Sequence, residues 1–207
     1  MNLIRRMNTL LLSFLFLLTF SPQVFAHPHS FIDMETTLVT ENHTLRGIEY
    51  VWKMDPMTSA DILYDLMNSK EDSPQWKKQA ASVANIIAQS YFSELNYQNK
   101  KQPLKLFPDT YRMTREGLQI VMSFRVSLLH PIPLAGSTIE LKTYEPTFFV
   151  SMTYNGKRAQ CRLVFTEADP SDTLKDYALS LDTGDTPDDD LTLGRQFAQQ
   201  ITLHCPE

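Results

Sequence analysis

The chain has 207 residues, with 19 lysines and arginines against 24 aspartates and glutamates, and a formal net charge of −5. That acidic balance speaks against a phosphate-tracking nucleic-acid surface. Its two cysteines lie outside any Cys-x-x-Cys motif, which speaks against a dithiol redox or zinc-thiolate centre.

The first segment reads as a secretory leader. Arg5 and Arg6 give a positive start, Leu10 to Phe20 is almost unbroken Leu and Phe, Pro22 breaks the run, and Val24-x-Ala26 supplies small residues at a cleavage site. The apolar run falls short of the ~20 residues that cross a bilayer. Met7-Asn8-Thr9 does not continue a twin-arginine signal, and no cysteine follows the run for lipid attachment. The expectation is export by the general route to the periplasm, with residues 1–26 removed. Loss of Arg5 and Arg6 takes the charge from −5 to −7. Residues 27–207 then suit a single domain with its own core.

Cleavage after Ala26 makes His27 the first residue. A terminal histidine joins a free α-amine, of pKa about 7.7 to 8.0, to its imidazole, and the two can chelate one ion. His29 lies two residues on and projects to the same side of an extended chain, about 6.6 Å away. Asp33 shares that side but stands roughly 13 Å beyond His29, too far for one ion unless the chain bends. His27, His29 and Asp33 are the candidate metal ligands. His43, His130 and His204 would add a ligand only if folding carried one of them to this terminus.

Phe31 to Thr40 and Leu45 to Met54 alternate in the period of half-buried strands, joined by a turn at Glu41-Asn42-His43-Thr44, and predict a hairpin. Asp55-Pro56 stops the second strand, and Asp55 reads as a turn or cap residue. Thr58-Ser59-Ala60-Asp61 reads as the start of a helix to about Asn68. Ser73-Pro74 starts a longer helix, with Trp76, Ala80, Val83, Ile87 and Tyr91 on one stripe, to about Leu95.

Six strands follow in prospect: Leu104 to Leu106, Tyr111 to Thr114, Leu118 to Leu129, Thr138 to Thr143, Thr147 to Tyr154 and Cys161 to Thr166. Asn155-Gly156 is the strongest hairpin signal in the chain. A short piece at Leu193 to Gln199 leads to a last strand ending at Cys205. An even cysteine count in an exported chain predicts one disulfide, Cys161 to Cys205. The expected fold is α+β, an antiparallel sheet or sandwich with a helical pair inserted after the N-terminal hairpin.

His27-Pro28-His29 behind the leader, Phe31-Ile32-Asp33, Trp52-x-x-Asp55 with Ser59, Tyr91-Phe92 and Tyr144-Glu145-Pro146-Thr147-Phe148 together resemble a family of exported bacterial proteins, the ZevA-like periplasmic components. The resemblance spans most of the mature chain. It departs at Glu145, where an aspartate is expected before the proline. It implies metal handling beside a nickel/cobalt/zinc-type membrane permease.

The function expected is a soluble periplasmic carrier of a divalent metal ion, zinc first, with copper or nickel as alternatives. A copper carrier, an oxidative copper enzyme using the terminal histidine, or a metal-free permease adaptor are the competing readings. The chain displays no recognisable constellation of nucleophile, base and oxyanion donors, which points away from an enzyme.

Overall fold

The computed structural model describes residues 28–158, 162–181 and 191–205. The leader, His27 and Cys161 lie outside these residues, as do the expectations placed on them.

The chain opens with the expected hairpin, β1 (Ser30–Glu41) and β2 (Thr44–Met54). Its two-residue turn places Asn42 and His43 both at positive φ, 48° and 57°. That backbone matches the right-handed twist of the two strands. Two helices come next, α1 (Pro56–Asp65) and α2 (Pro74–Ala88). They are followed by β3 (Ser93–Tyr97), β4 (Lys100–Lys101), β5 (Thr110–Glu116), β6 (Gln119–Pro133), β7 (Thr138–Thr143), β8 (Val150–Arg158) and β9 (Arg162–Thr166). Helices α3 (Asp172–Ser180) and α4 (Leu193–Gln196) precede β10 (Gln200–His204).

The strands form two five-stranded sheets, in the orders β5-β6-β2-β1-β8 and β4-β3-β7-β10-β9. Pairing is antiparallel except between β1 and β8, which run parallel. This is a sheet-rich architecture with a few helices, which fits an α+β class. Both sheets feed one apolar cluster, with Met34, Tyr50, Trp52 and Phe124 from the first and Leu95, Leu141 and Leu203 from the second. Within it Trp52 meets Phe124 edge-on, centroids 4.9 Å apart, and Tyr50 stacks on Phe124 at 5.1 Å.

A line of buried and half-buried hydroxyls crosses from one sheet to the other. Tyr50 on β2 bonds Ser93 on β3 at 2.9 Å, and Ser93 lies 3.1 Å from the hydroxyl of Thr143 on β7. The Tyr154 hydroxyl on β8 donates to Thr143 at 2.7 Å. Burial pushes the Tyr50 phenol up to about 12, against the lesser pull of its bonds to Ser93 and Thr143. Each hydroxyl would be costly to bury alone, and the line satisfies them together.

Several boundaries differ from the sequence expectations, each for a local reason. Helix α1 begins two residues earlier than Thr58, because Asp55 caps it and Pro56 occupies its first turn. Helix α2 stops at Ala88 rather than near Leu95, because Tyr91 and Phe92 both take left-handed backbone, φ 52° and 49°. Tyr91 is still buried, so it fits the helical stripe without belonging to the helix, and Leu95 is a strand residue opposite Leu141.

Of Leu104 to Leu106, only Leu104 forms a bridge, to Leu128. Asn155-Gly156 makes no turn: β8 runs through it, with Tyr154 opposite Met34 and Gly156 opposite Glu35, so Asn155 is an extra residue in a bulge. Helix α3 was not anticipated from the sequence, although Ser171 caps it by accepting from Leu174 N at 3.3 Å.

Candidate metal centre at the start of β1

The segment after the predicted cut enters the fold at one end of the first sheet and is held from both sides. On the β8 side the His29 N–H donates to the Phe149 carbonyl at 3.0 Å. The rings of the same two residues meet with centroids 4.9 Å apart and planes tilted by 44°. On the other side the Phe31 N–H donates to the Asp55 carboxylate at 2.8 Å, while Asp55 N returns a bond to the Phe31 carbonyl at 3.0 Å.

Asp55 is fully engaged. Its carboxylate also accepts from Met57 N at 2.8 Å, from Thr58 N at 3.1 Å and from the Thr58 hydroxyl, which in turn meets the Ser30 hydroxyl. Partial burial works to raise its pKa. The bonds from Thr58, Phe31 and Met57 outweigh that and hold it below the ordinary carboxylate value. It is a cap and a latch, with little capacity left for a metal.

The loop between β7 and β8 that carries Phe149 is held with comparable thoroughness. The Glu145 carboxylate accepts from Thr147 N at 3.0 Å, from the Thr147 hydroxyl at 2.8 Å and from Phe149 N at 2.8 Å. These bonds delay the start of β8 to Val150, where the sequence suggested Thr147. They also give Glu145 a structural role at the position where the resemblance led us to expect aspartate.

Phe148 takes left-handed backbone, φ 61°, and stacks on Phe197 with centroids 4.1 Å apart. Gly194 N donates to the Pro146 carbonyl at 2.9 Å, and a Cβ at Gly194 would sit 1.8 Å from the Glu145 carbonyl oxygen. Glycine is therefore required there by close approach.

Behind the loop, Tyr144 N donates to the Phe92 carbonyl at 2.7 Å, and the Tyr144 hydroxyl donates to Glu94 at 2.5 Å. Arg195 reaches the other Glu94 oxygen at 2.9 Å. Burial opposes ionisation of Glu94, but the bonds from Tyr144 and Arg195 lower its pKa below the ordinary value. The Ser59 hydroxyl, fully buried, accepts from Ile120 N at 2.9 Å. The motif residues singled out in the sequence thus hold the entry of β1 and its neighbouring loop in place.

His29 is half-buried at this entry, and Asp33 is exposed further along β1, opposite Lys53 on β2 and Thr153 on β8. His27 lies outside the described residues. Among the described residues, no three His, Cys, Asp or Glu side chains converge into a metal-binding group.

The remaining histidines are carried away from His29. His43 is in the turn at the opposite end of β1, and His130 lies on β6 between residues paired with Gly47 and Leu45. His204 pairs with Thr138 at the start of β7, whose neighbour Ser137 donates to Leu134, which donates in turn to the His43 carbonyl. All three occupy the far end of the sheets and do not supply a further ligand.

Sequence reasoning missed Phe149 as the partner of His29 and Asp55 as the anchor of Phe31. The only prior sign of either was their presence inside or beside the quoted motifs.

A protein of Haemophilus influenzae, described as uncharacterized, is 36% identical over 191 residues, covering 88% of this chain and 92% of its own. The chain belongs to the family described as Protein of unknown function (DUF1007), whose model matches residues 12–205.

Proposed function

We propose that this protein is an exported, periplasmic binding protein for a divalent metal ion, zinc first, and that it passes the ion to a nickel/cobalt/zinc-type membrane permease, as the ZevA-like resemblance implies. The observation that carries the reading is the anchoring of His29. Its main chain is bonded to Phe149, and Phe31 two residues on is bonded to Asp55, so a ligand set begun at the amine of a new terminus would end on fixed backbone.

In this reading His27 contributes amine and imidazole and His29 a second imidazole, while Asp33, roughly 13 Å further along the unbroken strand β1, does not share the ion with His29. Tetrahedral zinc accepts such nitrogens at about 2.0 to 2.1 Å and leaves a position for water. An open, incomplete shell suits an ion that is to be handed on. Among the described residues no helix is long and apolar enough to cross a membrane. On the same footing we take the two sheets, which share one apolar cluster, as halves of a sandwich, with α1 and α2 as an inserted helical pair.

The test is metal analysis of protein purified from the periplasm, followed by zinc titration of the native and His29→Ala proteins. Zinc near one per chain, lost on His29→Ala, supports the reading. Copper in its place supports the copper carrier, and absence of any affinity supports the metal-free adaptor.

A further inference from the structure

We propose that Phe149 is the positioning residue for the His29 imidazole, an inference that rests on His29 being a metal ligand. Two independent contacts join the pair: the Phe149 carbonyl accepts the His29 N–H at 3.0 Å, and the two rings lie 4.9 Å apart. The strand register explains why they meet. Ser30 is opposite Val150 in the parallel β1–β8 pair, so the residues just before each come together at the mouth of the sheet.

Packing alone does not account for Phe149. It is 42% exposed, outside the apolar cluster, yet its loop is held by Glu145, by the Gly194 bond to Pro146 and by the left-handed Phe148 stacked on Phe197. Strained backbone at a bulky residue persists only where its surroundings over-determine it. The loop so held carries the Phe149 ring against the His29 imidazole. A ring contact of this kind removes side-chain freedom from His29 during folding, so less is lost when the ion is captured.

Zinc itself is the probe. The native, Phe149→Leu, Phe149→Tyr and His29→Ala proteins, each with a mature terminus verified by mass, are titrated with zinc and melted without it. Leucine keeps apolar bulk without an aromatic face; tyrosine keeps the face. We expect Phe149→Leu to weaken zinc binding about fivefold, in line with an aromatic contact, and Phe149→Tyr to bind as the native protein does, with metal-free melting showing that both variants are folded.

Equal zinc affinity of Phe149→Leu and native protein overturns the inference while leaving the metal reading intact. Zinc binding untouched by His29→Ala overturns both. Magnetisation transfer between the His29 and Phe149 rings in the native, metal-free protein is a second readout that needs no variant, and its absence also overturns the inference.

Discussion

The carboxylate of Asp55 accepts the Phe31 N–H at 2.8 Å while the Asp55 N–H donates to the Phe31 carbonyl at 3.0 Å, so one residue starts α1 and also pins the start of β1. Asp55→Ala removes the cap and strands the Phe31 N–H, and should lower stability by about 2 kcal/mol. Asp55→Asn keeps a capping oxygen and should recover part of that loss. Denaturant unfolding with an unchanged slope is the check.

Acid separates the charge from the cap. The native pKa of Asp55 is lowered, so its contribution is fully present above the ordinary carboxylate pKa and is lost as pH falls through the lower folded value. The stability gap between the native protein and Asp55→Asn should therefore narrow below about pH 4. A gap constant from neutral pH to pH 3 would show that the carboxylate charge contributes nothing.

Thr143 accepts from Tyr154 at 2.7 Å and lies 3.1 Å from Ser93, at the junction of the hydroxyl line between the sheets. Thr143→Val preserves shape but leaves a buried phenol without that acceptor, and should cost about 1–3 kcal/mol. Tyr50→Phe should cost less, because Ser93 retains its bond to the Tyr91 carbonyl at 2.8 Å.

Alkali acts on the same line. Tyr50 is raised to about 12 by burial, so its stabilisation is complete below pH 10 and disappears as pH rises through 12. Alkaline unfolding of the native protein should fall in that window, and Tyr50→Phe should shift it upward.

Arg162 and His204, the neighbours of the two cysteines, are paired across β9 and β10, and Cys205 is buried at the end of β10. This register favours the proposed Cys161–Cys205 bond. Thiol titration of denatured, unreduced protein should find no free thiol, and reduction should cost on the order of 4 kcal/mol by the loop-entropy account. Two reactive thiols per chain would remove the bond from the description.

The mature terminus carries the metal prediction. One alanine placed before His27 keeps both imidazoles and converts the amine to an amide, so zinc affinity should fall tenfold or more, about 1.4 kcal/mol for each tenfold. Pro28 has no amide hydrogen, so copper(II) should form no square-planar site through the amides of residues 28 and 29. Metal titration and the copper spectrum of the processed and alanine-extended proteins are the measurements. Unchanged zinc affinity after extension would remove the amine from the ligand set.

The β1–β2 hairpin, the Ser73-Pro74 helix start and the Thr138–Thr143 strand were legible because alternation, capping and turn chemistry are decided by residues a few positions apart. The face shared by His29, Phe31 and Asp33 follows from the same two-residue period.

Tertiary structure decided what depended on partners distant in the chain. Only the parallel docking of β8 on β1 converts Asn155-Gly156 from a turn signal into a bulge and brings Phe149 to His29. Only the packing of α1 against the hairpin gives Asp55 its second role at Phe31. The strand order likewise sends His43, His130 and His204 to the far end, because whether side chains meet across a sheet is set by register between strands rather than by spacing along one.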